Sequence, residues 1–124
     1  METKTDTGYL NVTVSGAFAR NALLCVNTST GKCDLAQEAT AAALIVGHLT
    51  QESFADGDKR CVKMLNAPGT HIGWASEAIA LTDIVETADA GKLQTATGSG
   101  TVVGVPLEAA AAGAYFEYRP IVAG

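Results

Sequence analysis

The chain carries a partial second copy of itself. Ser15-Gly16-Ala17-Phe18-Ala19 is matched by Ser76-Glu77-Ala78-Ile79-Ala80, and Leu23-Leu24 falls on Ile84-Val85 at the same spacing of 61 positions (84 − 23). Gly31-Lys32 falls on Gly91-Lys92 at a spacing of 60 (91 − 31), with Ala36 on Ala96 following. Ile45-Val46-Gly47 meets Val102-Val103-Gly104 at 57 (104 − 47), and Gly57 meets Gly113 at 56 (113 − 57). The order is kept, and the drift needs only short gaps. A repeat on this scale constrains the fold more than composition does, because an architecture drawn for residues 12–65 has to serve residues 73–120 as well.

Within each half the signal is that of short strands. Leu10-Asn11-Val12-Thr13-Val14 alternates apolar and polar residues, the period of a half-buried strand. Residues 23–26 and 84–86 are β-rich runs closed by turn clusters, Asn27-Thr28-Ser29-Thr30-Gly31 and Ala88-Asp89-Ala90-Gly91, in which glycine stands where a hairpin often needs a positive φ. Return strands are expected at 32–35 and 92–95. Further strands follow at 43–49 and 101–105, each with a central glycine that marks a bulge or a close approach. Residues 59–65 and 115–119 alternate again.

One stretch departs from the repeat. Asp34 to Leu44 has an N-cap candidate, good helix formers and apolar residues spaced four apart, whereas the second half offers only Thr97-Gly98-Ser99-Gly100 there. It reads as a short helix near 35–44 or as a loop. The expected fold is mainly all-β, a small β-barrel or β-sandwich of two similar halves. Residues 1–8, polar and without a core pattern, form an N-terminal arm ahead of one domain at 9–124.

Charge and cysteine usage remove several function classes. The net charge is −5, and the eight basic residues are scattered, so no stripe exists to neutralise phosphates and nucleic acid is not an expected partner. No segment approaches the roughly 18 apolar residues that would span a bilayer, and the N-terminus lacks the pattern of a signal peptide, so no membrane is expected either. Cys25, Cys33 and Cys61 are odd in number and lack C-x-x-C spacing, which implies neither a disulfide framework nor a zinc site. Cys25 and Cys33 could face each other across a hairpin, but a pair of buried thiols in a reducing cytosol is the better reading. Much of the 48% hydrophobic content is alanine, which buries little area, so modest stability is expected for the isolated chain.

A search for chemistry finds no constellation. His48 lies in an apolar strand and His71 follows the turn Ala67-Pro68-Gly69-Thr70; a pairing of either with Cys61 or Ser76 has no nucleophile-elbow context, and ordinary surface or partly buried histidines are the default. Asp56-Gly57-Asp58 lacks the downstream ligands of a calcium loop and reads as a tight turn. Glu52 and Glu108 hold matching places in the two halves but have no surrounding sugar site and read as solvated loop residues. Gly98-Ser99-Gly100 precedes a strand and makes no phosphate cradle. Trp74 and Phe18, near the starts of the paired units, are expected in the core; Phe116 points inward, with Tyr115 on the opposite face as a contact residue. No catalytic residue, cofactor or metal is assigned.

Four ordered segments carry a resemblance: Gly73 to Ala80, then Asp89-Ala90-Gly91-Lys92-Leu93-Gln94, then Gly104-Val105-Pro106-Leu107-Glu108-Ala109-Ala110, then Gly113 to Pro120. In that order they resemble a family of tailed-bacteriophage capsid decoration, or head cement, proteins, whose members run "G-K-V-Q" after a hairpin turn, then "G-V-A-L-E-A-A", then "G-x-x-V-E-V-x-P". Pro106 replaces the family's small residue. Gly47-His48-Leu49-Thr50-Gln51 matches its "G-x-L-T-Q" run in the first half, so the likeness covers most of residues 9 to 120. The resemblance implies a non-enzymatic β-barrel, made in the bacterial host cytoplasm, that sits on the outer surface of the expanded head. Its implied partners are the phage major capsid protein and further copies of itself, as a homotrimer or alternatively a dimer, bracing the lattice against DNA pressure.

Capsid or subunit contacts are expected from Thr3, Lys4 and Thr5 of the arm, ordered against a neighbour, and from Tyr9 and Tyr115. Two other classes stay open: another phage structural part, such as a minor tail or head-completion protein, and a carbohydrate-binding module.

Overall fold

The computed structural model describes residues 8–121. Thr3, Lys4 and Thr5 of the expected arm lie outside the described residues. Among the described residues, ten strands form two five-stranded antiparallel sheets. The first contains β1 (Tyr9–Thr13), β2 (Leu23–Val26), β3 (Cys33–Leu35), β4 (Ile45–Leu49) and β5 (Lys59–Met64) in the order β1-β5-β4-β2-β3. The second contains β6 (His71–Trp74), β7 (Val85–Thr87), β8 (Leu93–Thr95), β9 (Val102–Pro106) and β10 (Tyr115–Pro120) in the order β6-β10-β9-β7-β8. The second order is the first with each strand advanced by five.

The likeness of the halves extends to register. Val14 bridges Cys33 in parallel, and Ala75 bridges Leu93 in the same way, drawing each sheet round on itself. A bulge falls between Leu24 and Cys25 and again between Val85 and Glu86. Gly57 N–H donates to Val14 O at 2.8 Å, and Gly113 N–H to Ala75 O at 2.8 Å. These pairs carry the spacings seen in the sequence, including the drop from 61 near the start to 56 near the end. One strand had no sequence expectation: β6, the counterpart of β1, is four residues long, and Gly73 interrupts its β-branched and aromatic character.

The surroundings of Gly47 and Gly104 explain why β4 and β9, the fourth strand of each half, carry a glycine. A Cβ on Gly47 would lie 2.0 Å from Lys63 O, and one on Gly104 would lie 2.4 Å from both Arg119 O and Tyr118 Cδ2. Both distances are far inside van der Waals contact, so the neighbouring strand closes over each glycine only because it has no side chain.

The stretch with helical character is not a helix. Within 35–44 the one helical element is the single 3-10 turn of Ala42–Leu44, and Ala36 to Thr40 crosses the second half through a turn at Glu38-Ala39, closed by Thr40 N–H donating to Gln37 O at 3.1 Å. Its backbone groups are engaged there. Gly91 N–H donates to Ala36 O at 2.8 Å, Thr87 Oγ1 to Glu38 O at 3.1 Å, and Thr101 Oγ1 to Thr40 O at 3.3 Å. Tertiary hydrogen bonds satisfy the groups that a helix would have satisfied internally, and intrinsic propensity is too small to resist them. Asp34 does not cap a helix; its carboxylate accepts from Ser15 Oγ and, at 2.9 Å, from Asn27 Nδ2.

Apolar side chains gather in two clusters. Val14, Leu24, Cys33, Leu49 and Val62 fill the curl of the first sheet. A second cluster joins the halves, placing Leu23, Cys25 and Ala36 against Ile79, Val85, Leu93, Val103, Phe116 and Tyr118. Cys25 and Cys33 thus belong to different clusters: Cys25 pairs with Asp34 and Cys33 with Val26, on opposite faces of the hairpin, and both are free buried thiols. Burial pushes both thiols above their ordinary pKa.

Candidate functional site

The seam between the halves holds most of the unusual polar chemistry among the described residues. His48 on β4, His71 on β6 and Tyr118 on β10 meet with ring centroids 5.6–6.0 Å apart. All three are buried; His71 is 1% exposed. His48 Nδ1–H donates to Asn21 O at 2.8 Å, which leaves Nε2 to accept from the Tyr118 hydroxyl at 2.6 Å. His71 Nε2–H donates to Leu65 O at 3.0 Å, while its Nδ1 has no partner. Burial, with repulsion from His71 and Lys63, outweighs the bond to Asn21 and pushes His48 down to about 4. His71 is lowered for the same reason, burial first and the Lys63 charge beside it. Burial raises the Tyr118 phenol. Neutral rings tied to main chain and to a phenol make a structural joint between sheets. Neither imidazole engages Cys61 or Ser76; the Ser76 hydroxyl donates to Leu93 O at 3.1 Å. Both rings are buried outright, deeper than the surface or partly buried positions expected of them.

Sequence reasoning missed this cluster because its members are 23 and 47 positions apart (71 − 48 and 118 − 71) and have no polar counterparts in the repeat. By the register, His48 corresponds to Val105, His71 to Leu10 and Tyr118 to Val62. Polar residues standing where the other half has an aliphatic one were the available signal.

A second polar joint surrounds Glu86, also fully buried. Its carboxylate accepts from Gln94 Nε2 at 2.7 Å, from Thr97 Oγ1 at 3.1 Å and from Gly98 N–H at 3.1 Å. Burial alone would raise this carboxyl, but those bonds, with one from Gly100, outweigh it and hold the group below the ordinary carboxylate value. Gln94 Nε2 and Ser99 Oγ also reach Glu38 Oε2, at 2.6 and 2.7 Å. The Gly98-Ser99-Gly100 segment thus folds over a carboxylate of the chain itself and ties the 36–40 strap to the second sheet.

The remaining candidates fall as follows. Asp56-Gly57-Asp58 is a turn: Asp58 accepts from Phe54 N–H at 2.8 Å and Ala55 N–H at 3.1 Å, which hold its carboxyl below its usual value. Glu108 accepts from Glu117 N–H at 2.8 Å, and Glu52 offers its main-chain oxygen to Arg60 Nε at 3.0 Å. Phe116 is buried and Tyr115, beside it, is 49% exposed. Trp74 is not in the core. It lies opposite Tyr115 on the outer face of the second sheet, rings 6.1 Å apart, with Lys92 Nζ 4.5 Å from its ring centroid. Glycine at position 73 fixes this: β6 turns Gly73 inward against Leu93 and Tyr118, so the next residue must face out.

Two grooves open along the seam. One, of about 470 Å³, is apolar and lined by equivalent residues of both halves, Ile45 with Val102, Val46 with Val103, and Leu65 with Ile121. The other, of about 420 Å³, opens above the histidines between Tyr9, Arg20, Lys63 and Ile72. Tyr9, 40% exposed, stands on its rim; Tyr115 is not among its lining residues, so the two tyrosines expected as contacts do not share this site.

No known protein family matches the chain, and no curated protein matches it. Among solved structures, it is similar to the N-terminal base of the head fibre gp8.5 of bacteriophage phi29. The TM-score is 0.71, with 17% sequence identity, over 91% of this chain and 92% of that one. The chain has the fold of a phage head-fibre base. At that identity the likeness speaks for backbone architecture, and it embraces both halves of the repeat.

Proposed function

We propose that this chain is a structural, non-enzymatic component of a tailed-phage virion that binds the outer surface of the expanded head and stabilises it. The observation that carries the reading is the agreement in fold, over nearly the whole of both chains, with a protein described as the base of a phage head fibre. The ordered sequence motifs point to head decoration independently of that likeness. The internal chemistry is compatible with it: His48 and Tyr118 are spent on joining the halves and Glu86 on holding the 97–100 segment, and their polar atoms face protein groups. A head protein of this kind gains its grip from many modest contacts repeated over a lattice, and an oligomer, trimeric or dimeric, would multiply each of them.

Co-sedimentation of the purified chain with undecorated heads, before and after expansion, tests the reading. Saturable binding to expanded heads, at a stoichiometry set by local symmetry, is the expected outcome. Absence of binding by well-folded protein to either form would refute it. A second reading, glycan binding, draws on the partly exposed Trp74 and Tyr115 pair. It predicts that sugars quench Trp74 fluorescence, which the head-binding reading does not.

A further inference from the structure

We infer that the groove above the histidine cluster is a docking site for an acidic segment of a protein partner, seating a carboxylate between Arg20 and Lys63. The inference deepens the head-binding reading and rests on it for the partner being a shell subunit.

The chain has 13 acidic residues against 8 basic ones, yet no Asp or Glu lines this groove, whereas Arg20, Lys63 and both histidines do. The salt bridges among the described residues, Lys32 with Asp56 and Arg60 with Asp58, lie elsewhere, so neither groove cation has a salt-bridge partner among the described residues; the Glu117 carboxylate, which accepts from the hydroxyl of lining residue Thr70, forms none with them. Lys63 spends one N–H on Thr70 O at 2.6 Å, which fixes the ammonium at the groove wall and leaves two donors. A pre-positioned cation loses little entropy on pairing, unlike a free surface lysine. Against a negative molecule, this is a local positive site that would favour acidic partners and speed their approach.

The occupant is argued from the other lining groups. Tyr9 and Ile72 are 40% and 41% exposed on the rim, which suits an apolar neighbour of the carboxylate and not a bare phosphate. A peptide brings both kinds of group, a carboxylate for the two cations and an apolar side chain for the rim. Nucleic acid would meet only two permanent cations here, within a chain of net charge −5.

Two measurements test the site and separate it from head binding as such. The first titrates the labelled full chain with a short capped peptide of alternating leucine and glutamate, against its glutamine counterpart and against inorganic phosphate, followed by NMR. Shifts at Tyr9, Arg20, Lys63 and His71 with the glutamate peptide alone are expected, weakened about tenfold or more by Lys63→Gln or Arg20→Gln and unchanged by Lys59→Gln. Equal shifts with the glutamine peptide, reproduction by phosphate, or no shifts at all would overturn the proposal. The second repeats the sedimentation with Lys63→Glu, whose head affinity is expected to fall about tenfold or more at low salt. Unchanged affinity would overturn the groove while leaving head binding standing. If the wild type fails to bind heads, the head reading falls and the peptide titration decides the groove by itself.

Discussion

Acid should loosen the seam before it touches the rest of the molecule. His48 is neutral in the fold at pH values where it would be protonated in the unfolded chain, its pKa pushed from 6.5 down to about 4. The unfolded state therefore binds more protons in that window, and stability falls as pH falls through it. Above about pH 6.5 the contribution is fully present; below about 4 it is gone. At about 1.4 kcal/mol per unit, a shift of this size amounts to about 3 kcal/mol for His48 alone, with His71 adding in the same direction. A small domain is stable by only about 5–15 kcal/mol, so this loss is a large fraction. Glu86 and Asp58 are held below their ordinary values, so their contributions fade mainly below about pH 4.5 and overlap only the lower end of the histidine window. Urea unfolding at intervals from about pH 7.5 to 4, followed by circular dichroism, measures the slope. The variant His48→Gln should be less stable at neutral pH and show a flatter dependence between about 6.5 and 4.5. The same slope in both proteins would refute the assignment of acid sensitivity to this joint.

Other expectations follow from the same geometry. Tyr118→Phe leaves His48 Nε2 buried without its donor and should cost about 1–3 kcal/mol in urea unfolding, with no gain in backbone mobility elsewhere. Gly104→Ala should cost more than Gly57→Ala: the first drives a Cβ to 2.4 Å from Arg119 O and the Tyr118 ring, about 1–3 kcal/mol or more, whereas the second meets open space and bears only its positive φ, about 1–2 kcal/mol. Glu86→Ala should release Gly98 N–H, read as faster hydrogen exchange at residues 97–100 ahead of any global unfolding. A thiol reagent should modify Cys61, the partly exposed cysteine, well before Cys25 and Cys33, and equal rates for all three would contradict the burial described.

The sequence by itself determined the repeat, the strand character of nine of the ten described strands and the close approach at Gly47 and Gly104, because these are local facts. Period-2 alternation, turn residues and the spacing between copies are written within short windows, and duplication writes them twice. It also determined that Tyr115 and Phe116 take opposite faces, since neighbours on a strand cannot do otherwise. Only the tertiary structure decided what the residues at which the copies differ do. The 35–44 stretch has helical propensity, but the second half offers hydrogen bonds to its backbone that outweigh a preference of a few tenths of a kcal/mol per residue. Trp74 looks like a core residue by type and is turned outward by Gly73 before it. His71 and Tyr118 already face each other across β6 and β10, but His48 joins them only when the two halves dock, because that contact is between copies and no spacing within either copy encodes it. What joins two repeats is, for that reason, the part of such a chain that a repeat cannot reveal.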